Sequence, residues 1–311
     1  MSSYHTPVLV EEVINGLRCQ PGDVFVDGTL GGGGHALRIL EAIGPTGLLI
    51  GLDKDGDAIK ESRKVFAPFG KRVILRKADF SSLSHVLLSI GISEVNGILL
   101  DLGVSSHQLD EEERGFSFQG DHLLDMRMDR EQEISAYDFI NQASEEELRR
   151  VIWKYGEERM ARRIAKHIVQ ARAKEPVRTT LSLANIVIRA CLPSARNSKI
   201  HPATRTFQAI RIWINNELDN LEYAISSGMD SLRPGGRFGI ISFHSLEDRI
   251  VKNAFRSWAK TCVCPPDLPV CVCHRQQKMN VLTKKPIVPK AEEISANPRA
   301  RSARLRIAER I

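Results

Sequence analysis

The chain has 311 residues, of which 42% are hydrophobic and 26% charged, with a formal net charge of +6. That length can bury a sizeable core and fits one large domain with a smaller one. No run approaches the roughly 20 apolar residues of a membrane helix, and the opening Met1-Ser2-Ser3-Tyr4-His5-Thr6-Pro7 lacks the basic and apolar regions of a signal peptide, so the expected location is the cytoplasm.

In the first third, short apolar runs alternate with amphipathic stretches. Strands are predicted at 24–26, 48–52, 73–75 and 98–102, with helices at 36–43, 58–66 and 83–90 between them. Each strand is nearly all apolar, which predicts a parallel sheet buried on both faces. After residue 102 the pattern becomes helical with charged faces. From 145 to 173 an apolar stripe runs through Leu148, Val151, Ile152, Tyr155, Ile164 and Ile168, and Thr179 and Thr180 precede a helix at 181–191 that Pro193 closes. A long helix at 207–232, a turn at 233–236 and a strand at 238–242 resume the sheet pattern. The tail adds short apolar pairs at 281–282 and 287–288, a helix at 291–294 and a strand at 305–308. The fold class is therefore α/β with a Rossmann-like sheet and an inserted all-helical subdomain, the sheet domain at 1–106 and 204–311 and the insertion at 107–203.

The segment Val24-Phe25-Val26-Asp27-Gly28-Thr29-Leu30-Gly31-Gly32-Gly33-Gly34-His35 reads as a strand entering a glycine-rich turn that opens a helix. Consecutive glycines let backbone approach a flat ligand where a Cβ would collide. Asp27 beside the loop would repel a pyrophosphate but suits a cation, and no Gly-Lys-Ser/Thr phosphate loop is present. Asp53, Asp79 and Asp101 close the next three strands, at the edge where open sheets hold ligands. Asp53 can take ribose hydroxyls, and Phe80 can lie against an adenine. Each acid alone also fits a helix cap; four at successive strand ends point to a cationic, phosphate-free nucleoside cofactor, S-adenosyl-L-methionine. A nicotinamide-dependent oxidoreductase and an inactive RNA-binding assembly factor stay open as alternatives.

Other segments carry polar chemistry. Ser105, Ser106 and Gln108 follow the fourth strand, Arg205 and Gln208 join the insertion to the sheet, and His244 follows the strand at 238–242. Arg299, Arg301, Arg304, Arg306 and Arg310 predict a basic stripe suited to an RNA backbone. Asp125-Met126-Arg127-Met128-Asp129 reads as a half-buried structural segment. Cys262, Cys264, Cys271 and Cys273, with His274, offer enough ligands for tetrahedral zinc, but the C-x-C spacing departs from the usual C-x-x-C, and no metal ligand is assigned. Cys19 and Cys191 stand alone, as expected of reduced thiols.

Taken together, His5-Thr6-Pro7-Val8-Leu9, the loop from Asp27 to His35, Asp101 to Asp110, Arg114 to Phe118, Leu124 to Asp129, His201 to Gln208, Ser242 to Arg249 and Asn297 to Arg306 resemble the RsmH (MraW) family of ribosomal RNA small subunit methyltransferases from end to end. The resemblance implies S-adenosyl-L-methionine-dependent methylation of a cytidine N4 in 16S ribosomal RNA near the decoding site. It places cofactor contacts on Gly33, Gly34, His35, Asp53, Phe80, Asp101 and Gln108, with Asp101 as the candidate catalytic residue near Ser105, Ser106 or His244. Its partner would be small-subunit ribosomal RNA or the assembling small subunit, with no membrane; a homodimer stays open. The cysteine cluster varies in that family, and the Asp/Asn-Pro-Pro-aromatic segment of many amino methyltransferases is absent.

Overall fold

Apolar runs rich in Val, Ile and Leu, each stopping on a polar residue, form the parallel part of a seven-stranded sheet. A computed structural model of the chain describes residues 7–191, 201–265, 270 and 272–311. The strands are β1 (Val24–Asp27), β2 (Leu48–Asp53), β3 (Val73–Lys77), β4 (Val95–Asp101), β5 (Leu232–Ser242), β6 (Met279–Val281) and β7 (Arg304–Arg310). Their order is β3-β2-β1-β4-β5-β7-β6. Neighbours from β3 to β5 are parallel, whereas β7 runs antiparallel to both β5 and β6. The chain reverses its direction of travel across the sheet between β1 and β4, which opens a crevice at their carboxyl ends. Asp27 and Asp101 end those two strands.

Alternation along each strand divides the core between the two faces. Phe25, Leu49 and Leu99 pack on one side with Val13, Leu17, Ile39 and Leu40. Val26, Ile50, Ile98 and Leu100 pack on the other with Leu83, Leu87, Leu221 and Ile225. The predicted burial on both faces fails at β3, where Val73, Ile74 and Leu75 are half-buried and Arg76 and Lys77 exposed, because this edge strand has only β2 beside it.

The described residues of Met1–Gly103 with Leu218–Ile311 make one compact unit and Val104–Glu217 another. The second junction thus falls after the helix Thr204–Asn215, not at 204, since this helix packs on Glu145–Gly156. A Cβ on Gly156 would sit 2.6 Å from the Arg205 carbonyl, so glycine permits the close crossing. Two breaks, each at a left-handed residue, interrupt the helical stretch read at 145–173 and the long helix predicted at 207–232. Glu157 (φ 49°) separates Glu145–Gly156 from Ala161–Arg172, and Asn216 (φ 50°) separates Thr204–Asn215 from Glu217–Ser231. The turn expected at 233–236 lies within β5, whose register on β4 shifts between Val95 and Gly97. A helix at Val10–Leu17 was not expected, and Ile287 makes only an isolated bridge to Leu305.

The inserted unit is helical, as its periodicity predicts. Ser135, Ser144 and Thr179 cap its helices, while Pro193 lies outside the described residues. Leu148, Val151, Ile152, Ile164, Ile168, Leu183 and Ile210 form its core. The segment Asp125–Asp129 is structural: Met126 and Met128 are buried, Arg127 makes a two-pronged pair with Asp125, and Asn215 Nδ2 donates to the Met126 carbonyl at 2.8 Å. The buried Arg114 guanidinium donates to the Met128 carbonyl at 2.9 Å. Among the described residues, no helix is long and apolar enough to cross a membrane.

Candidate functional site

Backbone bonds pin the loop after β1 to the strands on both sides. Gly28 N donates to the Leu99 carbonyl at 2.9 Å and Leu30 N to the Leu52 carbonyl at 2.8 Å. Thr29 Oγ1 accepts from Asp101 N at 2.6 Å, tying the loop to the end of β4. Thr29 is a site residue that the sequence reading missed; a hydroxyl two positions beyond a strand-end acid was its signal. Gly31 (φ 49°) and Gly33 (φ 80°) adopt left-handed backbone that glycine tolerates. A Cβ on Gly33 would meet the Phe66 ring at 2.7 Å, and one on Gly34 would meet Pro7 at 2.9 Å. Close packing within the protein therefore favours glycine at both positions. No side chain caps the helix Gly34–Ala42 that follows.

Three acids and a histidine gather around this loop. Asp27 is only 1% exposed, and its Oδ1 accepts from Thr29 N at 3.1 Å. Burial raises its pKa to about 7, against the pull of His35 and the Thr29 hydrogen bond, while Asp101 and Asp53 add repulsion. Asp53 accepts from Gly31 N and Asp55 N, each at 2.8 Å; burial nonetheless pushes it up to about 6. His35 Nε2 lies 3.5 Å from Asp101 Oδ2, and neither buried ring nitrogen has a hydrogen-bond partner among the described residues. Burial disfavours its imidazolium, but the Asp101 carboxylate and then Asp27 outweigh that, so its pKa lies above the ordinary value.

Other predicted residues divide between the site and plain structure. Phe80 is half-buried beside the loop, its Cβ 3.2 Å from where a Cβ on Gly28 would stand. Asp79 caps the turn Phe80–Ser82 through Ser81 N at 2.9 Å, accepts from Asn220 Nδ2 at 3.0 Å and lies 3.4 Å from Lys54 Nζ. Gln108, in the inserted unit, forms a capping box with Ser105: its Oε1 accepts from Ser105 N at 3.0 Å while its own N donates to Ser105 Oγ at 3.2 Å. His244 caps the helix Ser245–Trp258, with Glu247 Oε2 accepting from its backbone N at 3.2 Å. Arg205 is exposed, 3.9 Å from Glu158.

The basic stripe expected along the tail is broken. Arg306 turns inward, Nε and Nη2 on Asp248 at 2.6 and 3.1 Å, while Arg304 reaches the same acid at 3.3 Å. Arg310 donates to the Leu232 carbonyl and pairs with Glu94 at 3.6 Å. Arg299 and Arg301 remain on the surface.

The chain matches the family model described as the MraW methylase family over residues 2–311. The chain belongs to that family. It is 57% identical over 309 residues to the ribosomal RNA small subunit methyltransferase H of Syntrophus aciditrophicus, covering 99% of this chain and 98% of that one. The protein of the same name from Syntrophotalea carbinolica is 54% identical over 307 residues, covering 99% and 98%. A SAM-dependent O-methyltransferase structure from Thermotoga maritima is 10% identical with a TM-score of 0.42, over 100% of this chain and 68% of that one. The strand order fixes the Rossmann-like fold without that likeness.

The cofactor of this methylase is S-adenosyl-L-methionine. The residues present suit it: the crevice concentrates carboxylates that burial makes hard to ionise, and a sulfonium and an ammonium group relieve that cost. His35, whose two buried ring nitrogens make no hydrogen bond among the described residues, stands among them.

Proposed function

We propose that this methylase modifies the exocyclic N4 of a cytidine in 16S ribosomal RNA near the decoding site, with Asp101 acting on the target amine. The relatives' names support the small-subunit ribosomal RNA. The placement of Asp101 carries the reaction type: it ends β4 at the switch point, its backbone is tied to Thr29, and its carboxylate stands beside His35. In this reading Gly33, Gly34, His35, Asp53, Phe80, Asp101 and Gln108 hold the cofactor, which supplies an electrophilic methyl group when bound.

The cytosine N4 lone pair is delocalised into the ring and is a poor nucleophile. A carboxylate accepting one N4 hydrogen favours the pyramidal amine and holds its lone pair in line. The methylated nitrogen then sheds a proton, which Asp101 can take and, through His35, share. The base must be unstacked to reach such a crevice; the inserted unit and the surface arginines Arg299 and Arg301 are assigned to gripping RNA around it. Mass spectrometry of 16S ribosomal RNA from cells lacking the gene tests the reading. Loss of N4-methylcytidine, restored by the wild-type chain and not by Asp101→Asn, is expected; an unchanged signal overturns it.

The raised acids predict a pH dependence. An acid whose folded pKa is raised stabilises the fold below its ordinary pKa, and that contribution is lost as pH rises through the folded value. For Asp27 and Asp53 those values are about 7 and about 6, so the free enzyme loses this stability between about pH 4 and 7. A cationic cofactor favours the ionised acids and offsets the loss. Calorimetric titration should therefore show Kd for S-adenosyl-L-methionine tightening about tenfold from pH 6 to 8. A Kd flat across that range removes the acids from cofactor recognition.

A further inference from the structure

Between the helix Ser245–Trp258 and β6, few contacts hold the described residues of the connecting loop. Its base is closed by Arg275 Nη2 on the Ser257 carbonyl at 2.6 Å and by Lys278 N on the Trp258 carbonyl at 2.9 Å. Further out, Val263, Val270 and Val272 are 50%, 69% and 62% exposed, so among the described residues no apolar cluster gathers this segment. Yet the Sγ atoms of Cys262, Cys264 and Cys273 all lie within 4.8 Å of one another. Ordering these residues costs conformational entropy that the exposed Val263, Val270 and Val272 do not repay.

The sulfur geometry fits coordination. Cys262 Sγ and Cys273 Sγ are 3.8 Å apart. A disulfide would place them at about 2.05 Å, whereas two thiolates on a tetrahedral zinc with Zn–S of about 2.3 Å stand about 3.8 Å apart. Backbone donors also face the sulfurs: Cys264 N lies 3.3 Å from Cys262 Sγ, and Val272 N lies 3.4 Å from Cys264 Sγ. Such N–H groups favour the thiolate and orient it as a ligand. We propose that Cys262, Cys264 and Cys273 bind a zinc ion that staples this loop. The site uses none of Asp27, His35, Asp53 or Asp101, and Cys271 lies outside the described residues. The three thiols release their protons to solvent as the metal binds, and a fourth ligand completes the tetrahedron. Soft thiolates select zinc over the hard cations. The structural purpose explains the unusual spacing: Cys262 and Cys264 supply ligands from one side of a loop closed at its base and Cys273 from the other, where a C-x-x-C knuckle would supply them from one turn.

Elemental analysis of the full-length reduced protein, produced with zinc and dialysed, tests this. About one zinc per chain is expected, falling below a tenth in Cys262→Ser and in Cys273→Ser. Cys19→Ser is the control, because burial and the nearby Asp23 push that thiol up to about 12 and leave it a poor ligand. Replacing zinc by cobalt should give intense thiolate-to-metal charge-transfer absorption in the wild type and lose it in the two variants. Circular dichroism and retained cofactor binding establish that the variants fold. Metal-free wild type without charge transfer, zinc content indifferent to both substitutions, or a Cys262–Cys273 disulfide in unreduced protein would each overturn the proposal.

Discussion

Asp101→Asn is expected to lower kcat for methyl transfer by about 10²- to 10⁴-fold, the range lost with a general base, while the sheet stays folded. The substitution keeps the shape of the side chain and leaves untouched the backbone bond from Asp101 N to Thr29 Oγ1. What it removes is the charge beside His35, 3.5 Å away, and the acceptor for an amine hydrogen. Two roles separate kinetically. If Asp101 acts on the target amine, the loss persists at saturating cofactor and the KM for S-adenosyl-L-methionine changes less than about tenfold. If it only positions the cofactor, KM rises and kcat recovers at saturation. The pH profile gives a second readout: without the carboxylate that holds its pKa up, His35 titrates lower, and any limb that it contributes moves to more acid pH. Full turnover in Asp101→Asn would remove the residue from the chemistry.

Periodicity and strand-end acids made the parallel half of the sheet and its carboxyl edge legible, because both depend on local sequence. A strand buried on both faces must be apolar throughout, and an acid at its end is visible as a break in the run. What periodicity does not encode is the backbone at single residues. Glu157 and Asn216 take left-handed φ, the first breaking the helical stretch at 145–173 and the second the predicted helix at 207–232. The glycine loop shows a related limit: sequence marks where a Cβ is absent but not what stands where it would be, which at Gly33 and Gly34 is Phe66 and Pro7. His244 and Gln108 read as ligand-facing polar residues, and both also take part in capping boxes, for which pairing with a residue three positions away was the available signal.

The tail arginines show the same difficulty with larger energetic consequences, and Asp248→Ala is the stability test. Alternation around Leu305 and Ile307 predicts one outward face, but the helix Ser245–Trp258, which carries Asp248, packs on β7, and Arg306 is only 6% exposed. A buried guanidinium requires a carboxylate, and Asp248 provides both oxygens. Removing that carboxylate leaves the cation buried and unpaired, which costs about 3–5 kcal/mol. Urea titration of Asp248→Ala should show that loss, and Asp248→Ala with Arg306→Met should recover much of it by removing the charge that needs a partner. Asp248 also fixes the sign of an acid limb: burial works against its ionisation, but Arg306 and then Arg304 prevail, so its pKa falls below the ordinary value. Its stabilisation is present above about pH 4, the ordinary carboxylate pKa, and is lost as pH falls through the lower folded value. A double variant no more stable than Asp248→Ala would mean that packing, not an unpaired charge, sets the cost. A single variant within 1 kcal/mol of wild type would mean that solvent already reaches Arg306, returning it to the exposed stripe that its sequence suggests.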